Sequence, residues 1–468
     1  MSSFVALAEA PVTRSAAPLS VRMASAIAAK REGDISAAAR EKLRICLLDF
    51  LACAFEAHSL PWARQAQALA MAGAGPCSIV GTNISAPAID AVFANSVAGH
   101  GLVREDMHTG SVSHLGIVVL PPLLALAQQR RVDGRSFITA AIVGYEVGGR
   151  IGRAIVTPEF ARTFRPTGFT GPLAAAAACS RLLGLDEAAS ASALSLAANF
   201  VGGQNQWPHT GADEMFFEAG VAARNGLTAA QLAALGAYGS EKALDGEAGL
   251  LTAYRPDHKA PEVRLFDGEP EIMSVFFKPV PVCNFAQTPC LAAVALAKGH
   301  QFDPSEIVAV EVSASRAAKA YPGCDYAGPF ARVLQAKMSI HYAVTSALLR
   351  GSVDEASYLK LDDPALLALA AKVTVHAGDD FTAAFPGKQG AEVTVRLRDG
   401  RVLSHRLQDV IPADLDLVRR RFRAAAAKAI GADAARALEA AVDDLDRSTD
   451  VGALMQLTLP PAAKAGAA

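Results

Sequence analysis

Charge is scarce in this chain. Asp, Glu, Lys and Arg make up 19% of 468 residues and nearly cancel, leaving a formal net charge of -2. Lys and Arg are dispersed and form no basic stripe, which argues against a nucleic-acid partner. The seven cysteines contain no Cys-x-x-Cys pair and leave one over by parity. That spacing supports neither a disulfide framework nor a zinc site, so a reducing cytoplasm is the expected compartment. No uninterrupted apolar run reaches about 18 residues, so no membrane span is expected. Met1 to Ala17 carries one arginine and no apolar core, and reads as a loose arm, not a signal peptide. Gly-x-Gly-x-x-Gly, Gly-x-x-x-x-Gly-Lys-Ser/Thr and Gly-x-Ser-x-Gly are all missing, so a nucleotide fold or an α/β-hydrolase elbow lacks support.

What is abundant is apolar surface. Half of the residues are hydrophobic, and alanine runs recur. A chain of this length suits two or three domains at about 150 residues each. Up to about residue 270 the periodicity is helical. Ile35 to Ala57 carries Leu43, Ile45, Leu48, Leu51 and Phe55 at helical spacing, with Asp34 at the N-cap position. Further helices are expected over 61–74, 87–99, 121–129, 134–155, 173–184, 186–198 and 218–235. A Gly/Pro-broken loop over 163–172 leads into one of them. Beyond 270 the pattern changes. Ile307 to Ser315 and Val373 to His376 alternate like strands, and Glu392 to Leu407 reads as a hairpin turning at Asp399-Gly400. Helices are expected between them, over 288–299 and 333–349. The expected fold is therefore mainly α with an α+β lid. Its parts are a flexible arm over 1–20, an all-α domain over 21–270, an α+β lid domain over 271–410, a helical return to the all-α domain over 411–458, and a frayed tail over 459–468.

The chemistry concentrates in His100-Gly-Leu-Val-Arg-Glu-Asp-Met-His-Thr-Gly-Ser-Val-Ser-His114, a polar loop between two apolar helices. It holds three of the ten histidines, together with Arg104, Glu105 and Asp106. An imidazole titrates near neutral pH and suits proton transfer. A carboxylate beside it fixes its tautomer and raises its pKa. His114 or His108 is thus a candidate acid/base, with Asp106 as its partner. The same stretch, as His100, Asp106, His108 and His114, offers acceptable ligands for a metal-dependent hydrolase, though the spacing matches no metal motif. The blander alternative is a solvated loop whose histidines cap helix ends. Lys278, in the proline-stiffened Phe277-Lys-Pro-Val-Pro segment at the α to α+β seam, is a candidate grip on a carboxylate; otherwise it snorkels from the seam. Arg165 is a candidate clamp on a carboxylate, or a surface ion-pair partner.

Several segments, in order, resemble the MmgE/PrpD family, which includes 2-methylcitrate dehydratase, cis-aconitate decarboxylase and iminodisuccinate epimerase. They are Leu48-Asp-Phe-Leu-Ala-Cys, Asn95 through His100 and His114 to Pro121, Gly171-Pro-Leu-Ala-Ala, Leu244-Asp-Gly-Glu-Ala-Gly, Phe277-Lys-Pro-Val-Pro and Ala336-Lys-Met-Ser-Ile-His-Tyr342. The resemblance spans roughly residues 30 to 455. It implies an all-α domain with a smaller lid, a cleft between them, a homodimer, no metal and no organic cofactor. It places His114 on the family's active-site histidine and Lys278 on its lid-seam lysine. It also implies a small di- or tricarboxylic acid as substrate. With the reading of the residues, His114, His108, Asp106 and Lys278 are the expected catalytic residues and Arg165, Arg104 and Tyr326 the expected binding residues, the sequence not deciding whether Tyr321 or Tyr326 approaches the pocket. The expected function is a cofactor-free, dehydratase-like lyase on a 2-methylcitrate-like acid; epimerase, decarboxylase and inactive binding protein are the alternatives. This chain departs from the family at Val103-Arg-Glu-Asp-Met, at Arg165 and Cys283 where histidines are usual, and before Gly220, where a lysine is usual.

Overall fold

The computed structural model describes residues 17–71, 73–255, 257 and 262–461. Long alanine-rich helices make up most of it. Pro166–Leu183 runs through the centre and packs on Gly134–Ile155 and Glu214–Ala234. Small side chains let these axes approach closely. At Gly226 an added Cβ would lie 2.4 Å from the Ala175 Cβ and 2.5 Å from the Pro172 carbonyl oxygen. Gly226 lies inside the continuous Glu214–Ala234 helix, at the point where two helices touch. Ala88–His100 and Gly116–Gln129 are buried almost all round. Pro121 and Pro122 sit inside the second of these.

The sequence expectations need correction at several ends. The Ala37–Ala57 helix is capped by Ser36, whose hydroxyl accepts from the Ala39 N–H at 3.2 Å, and not by Asp34. The 163–172 segment is not a loop throughout. Pro166, preset for a first helical position, starts the central helix there. The 333–349 helix breaks at Ser339, which caps Ile340–Arg350 by accepting from the Tyr342 N–H at 3.0 Å. Leu19 already belongs to a helix, Leu19–Ala29, so the expected arm is shorter at its described end; residues 1–16 of the arm and 462–468 of the tail lie outside the described residues.

The α+β part holds a four-stranded sheet in the order Val373–Ala377, Ile307–Ala314, Ala391–Leu397, Val402–Leu407. The first pair is parallel and the others antiparallel. Ala391–Leu397 alternates buried and less buried positions, so one face is covered, by Gln287–Gly299 and Ile340–Arg350. Val402–Leu407 is the half-exposed edge. After the sheet, Leu415–Ile430 packs against Ala37–Ala57, with Phe422 edge-on to Phe55 at 6.3 Å. The fold is thus mainly helical with a small α+β part. Among the described residues no helix is long and apolar enough to cross a membrane.

Candidate active site

Ala88–His100 ends where the polar loop begins, and Gly116–Gln129 resumes after it. Between them Met107 and His108 pair antiparallel with Phe276 and Val275. This two-residue ribbon delivers the next lid residues, Phe277 and Lys278, to the loop. Lys278 is fully buried and its ammonium donates to the Val103 carbonyl at 3.0 Å. Lys337, also fully buried, donates to the preceding carbonyl, Leu102, at 2.9 Å and to Glu355 at 2.7 Å. Val103 has φ 58° and Val112 φ 49°. A β-branched residue at positive φ is strained, by about 1–3 kcal/mol, and such strain gathers at functional sites.

Glu105 organises the imidazoles. One of its oxygens accepts from His100 Nδ1 at 2.5 Å and lies 2.8 Å from His114 Nδ1. The two imidazole attachments, with burial opposing them, hold its carboxyl well below the usual range, so it is ionised. His100 Nε2 then accepts from the Arg165 guanidinium at 3.0 Å. His114 Nδ1 is occupied by Glu105 and the Asp106 carbonyl, 3.3 Å away, which leaves Nε2 as its unused lone pair. Burial first, then the Lys278 charge, push His114 down to about 3, so it is neutral. Burial likewise lowers Lys278.

His114, Arg165 and Lys278 line one cavity, together with Val103, Met107, Val112, Met215, Cys283, Asn284, Phe285, Tyr321 and Met338. Its volume is about 20 Å³. Arg165 reaches it from the N-cap of the central helix, and His114 is held there by its N–H bond to Thr167 of the same helix at 3.1 Å. Cys283 lies 3.8 Å, sulfur to sulfur, from Cys324, and that contact, reinforced by the Lys278 charge against burial, pulls its thiol down to about 7.

Other expected site residues lie elsewhere. Asp106 accepts from Tyr145 at 2.6 Å and from the Gly116 N–H at 3.0 Å, at the start of a 14-residue helix, where a carboxylate is favoured. Burial nevertheless raises it to about 6. His108 donates from Nε2 to Glu271 at 2.7 Å and receives Ser111 at Nδ1, 2.8 Å. Arg104 pairs with Glu56 at 2.6 Å. Tyr326 donates to the Pro329 carbonyl at 2.6 Å, and Tyr321 is the tyrosine at the cavity. None of Asp106, His108, Arg104 and Tyr326 lines it. The four-residue metal set is therefore not assembled. His100, Glu105 and His114 do offer ligand atoms within 4.8 Å of one another. Their fit to a dication is poor. The shared Glu105 oxygen already binds both imidazoles, and the Arg165 and Lys278 cations stand beside them. The spacing of the loop did not single out Glu105 as its hub, and nothing in the sequence pointed to Lys337; Cys283 stood out only as a departure from the family, and Tyr321 only as one of two tyrosines. Glu105 sits between two histidines in sequence, and that is its one visible signal.

Fold and site together define a two-part helical enzyme class with an imidazole and fixed cations lining one cavity. The chain belongs to the MmgE/PrpD family: the MmgE/PrpD N-terminal domain profile matches residues 21–262 and the MmgE/PrpD C-terminal domain profile residues 280–447. This is an enzyme family of dehydratases and decarboxylases. The chain is 28% identical over 466 residues to cis-aconitate decarboxylase-like protein oryM of Aspergillus oryzae, covering 91% of this chain and 94% of that one. It is 26% identical over 457 residues to the cis-aconitate decarboxylase of Aspergillus terreus, covering 91% and 92%. To that of Homo sapiens it is 27% identical over 395 residues, covering 81% of each.

Proposed function

We propose that the chain is a lyase acting on a small di- or tricarboxylic acid, at a carbon next to a carboxylate. The observation that carries this is the convergence of His114, Arg165 and Lys278 on one cavity. Arg165 and Lys278 would hold carboxylates and take up the charge of an enediolate or carbanion. The His114 Nε2 lone pair would receive the proton. By itself His114 is a weak base, because burial and Lys278 disfavour its charge. A bound polyanion offsets Lys278 and raises that pKa toward neutrality. His114, Arg165 and Lys278 are the residues we assign to the reaction.

Two outcomes follow from the shared intermediate. In dehydration, the electron pair left by the departing proton expels a hydroxyl from the neighbouring carbon, and that hydroxyl needs an acid; the Cys283 thiol and the Tyr321 hydroxyl line the cavity. In decarboxylation no proton is removed first: the electron pair of the broken C–C bond stays on carbon as CO₂ leaves, and His114, having taken a proton from solvent once the bound polyanion raises its pKa, delivers it to that carbon. The names of the relatives favour decarboxylation, and the donor-rich wall favours dehydration. Incubation with citrate, 2-methylcitrate and cis-aconitate, followed by NMR, separates the two by product. Complete inertness toward all three, with no proton exchange into any of them, would falsify the proposal.

A further inference from the structure

A second chamber adjoins the cavity and shares three of its walls, Val112, Phe285 and Tyr321. Its volume is about 270 Å³, close to the lower end of small-molecule sites. Val156 and Ala161 form one side of it, and Ala317 and Phe385, from the α+β part, form the other. The Phe285 ring meets Tyr321 at 5.0 Å and Phe385 at 5.8 Å, so an aromatic row runs from one space into the next. Tyr321 is pinned by the Asn205 amide at 3.2 Å.

The two spaces differ in charge. The first contains His114, Arg165 and Lys278, whereas none of the twelve residues lining the second is ionisable apart from the Tyr321 phenol. Burial raises that phenol to about 12, so it too stays neutral. Apolar walls strip water from an anion and return nothing, so this chamber is a poor seat for a carboxylate. It is a good seat for hydrocarbon.

We propose that the chamber is a binding subsite for an alkyl chain of several carbons carried by the polycarboxylate substrate. The carboxylates then rest on Arg165 and Lys278, and the chain passes Phe285 to lie between Val156 and Ala317. This rests on the assignment of the first cavity to a polycarboxylate. Each methylene buried is worth about 0.8 kcal/mol, or about fourfold in affinity. From methyl to hexyl adds five methylenes, which sets a ceiling of about 10³-fold, and at least about tenfold is expected after ordering losses.

The test compares citric acids bearing hydrogen, methyl, butyl or hexyl at C2, with NMR reading product formation and proton exchange. The expected result is a rise in kcat/KM of at least about tenfold from methyl to hexyl. Val156→Trp and Ala317→Trp fill the chamber from opposite sides, at half-buried positions. Each should abolish the rise and leave the methyl acid turned over as before. Turnover of the short acids with no gain for the long ones overturns the subsite and leaves the polycarboxylate assignment standing. A rise that survives in both folded variants also overturns it. Inertness toward every acid overturns the subsite and the assignment together.

Discussion

Lys278 donates from a fully buried ammonium to the carbonyl of Val103, 3.0 Å away, and Val103 holds that carbonyl in place at φ 58°. One contact joins the α+β part to the strained turn beside His114. The lysine both shapes the turn and supplies charge to the cavity.

Replacing this lysine should separate activity from stability. Lys278→Met removes a buried charge and leaves one carbonyl unpaired, effects of opposite sign of about 1–3 kcal/mol each. The melting temperature is expected to move little, while kcat/KM on the acid substrate falls at least about 10²-fold, because carboxylate binding and charge stabilisation are both lost. Lys278→Arg should not restore it, since a planar fork cannot replace a point charge in a closed space. Thermal melts and steady-state kinetics on the same preparations check this.

Cys283 should titrate below an ordinary thiol, near 7, because of Cys324 and Lys278. The thiolate is the reactive form. Alkylation by iodoacetamide, followed by peptide mass spectrometry, is expected to speed up at Cys283 as pH rises through about 7 and then level off. Burial pushes Cys179 and Cys290 up, so they should stay unlabelled throughout. A bound polycarboxylate should protect Cys283, which lines the cavity.

Asp49 predicts a pH effect on stability. It is buried, one carboxylate oxygen has no partner, and burial, followed by the Asp106 charge, raises it from 3.8 to about 7. The protonated form is therefore the one the fold prefers. Its contribution is complete below the unfolded value and is lost as pH rises through about 7. The loss is on the order of 4 kcal/mol. Asp49→Asn cannot ionise, so its unfolding free energy should fall less than that of the parent between pH 5 and 8. Denaturant titrations across that range measure the difference.

Gly226→Ala sets two effects against each other. Alanine gains about 1 kcal/mol in a helix interior. Its methyl would sit 2.4 Å from the Ala175 Cβ and 2.5 Å from a backbone oxygen, which forces the two helices apart. Overpacking of this kind costs about 1–3 kcal/mol. The net expectation is a lower melting temperature, read by circular dichroism.

Much of the fold was legible because its signals are local. Val373–Ala377 and the hairpin alternate with period two, and Gly134–Ile155 carries its own N-cap, Asp133. The errors came where one residue type serves two roles. Pro166 and Pro172 look like loop residues, yet the first preorganises a helix start and the second is absorbed within the same helix. At the site, the loop, the seam lysine and Arg165 stood out by composition. Which loop residues face the cavity depends on long-range partners. Asp106 turns to Tyr145, 39 residues away, and His108 turns to Glu271, 163 residues away. No spacing within the loop encodes either contact, so Asp106 and His108 looked equivalent to His114.

Deuterium exchange into the acid substrate, followed by NMR in D₂O with the parent protein, His114→Ala and His108→Ala, tests the central claim most directly. If the His114 Nε2 lone pair receives the proton, exchange at the carbon next to the carboxylate falls at least about 10²-fold in folded His114→Ala and stays within a few fold of the parent in His108→Ala. Undiminished exchange in folded His114→Ala would contradict the account.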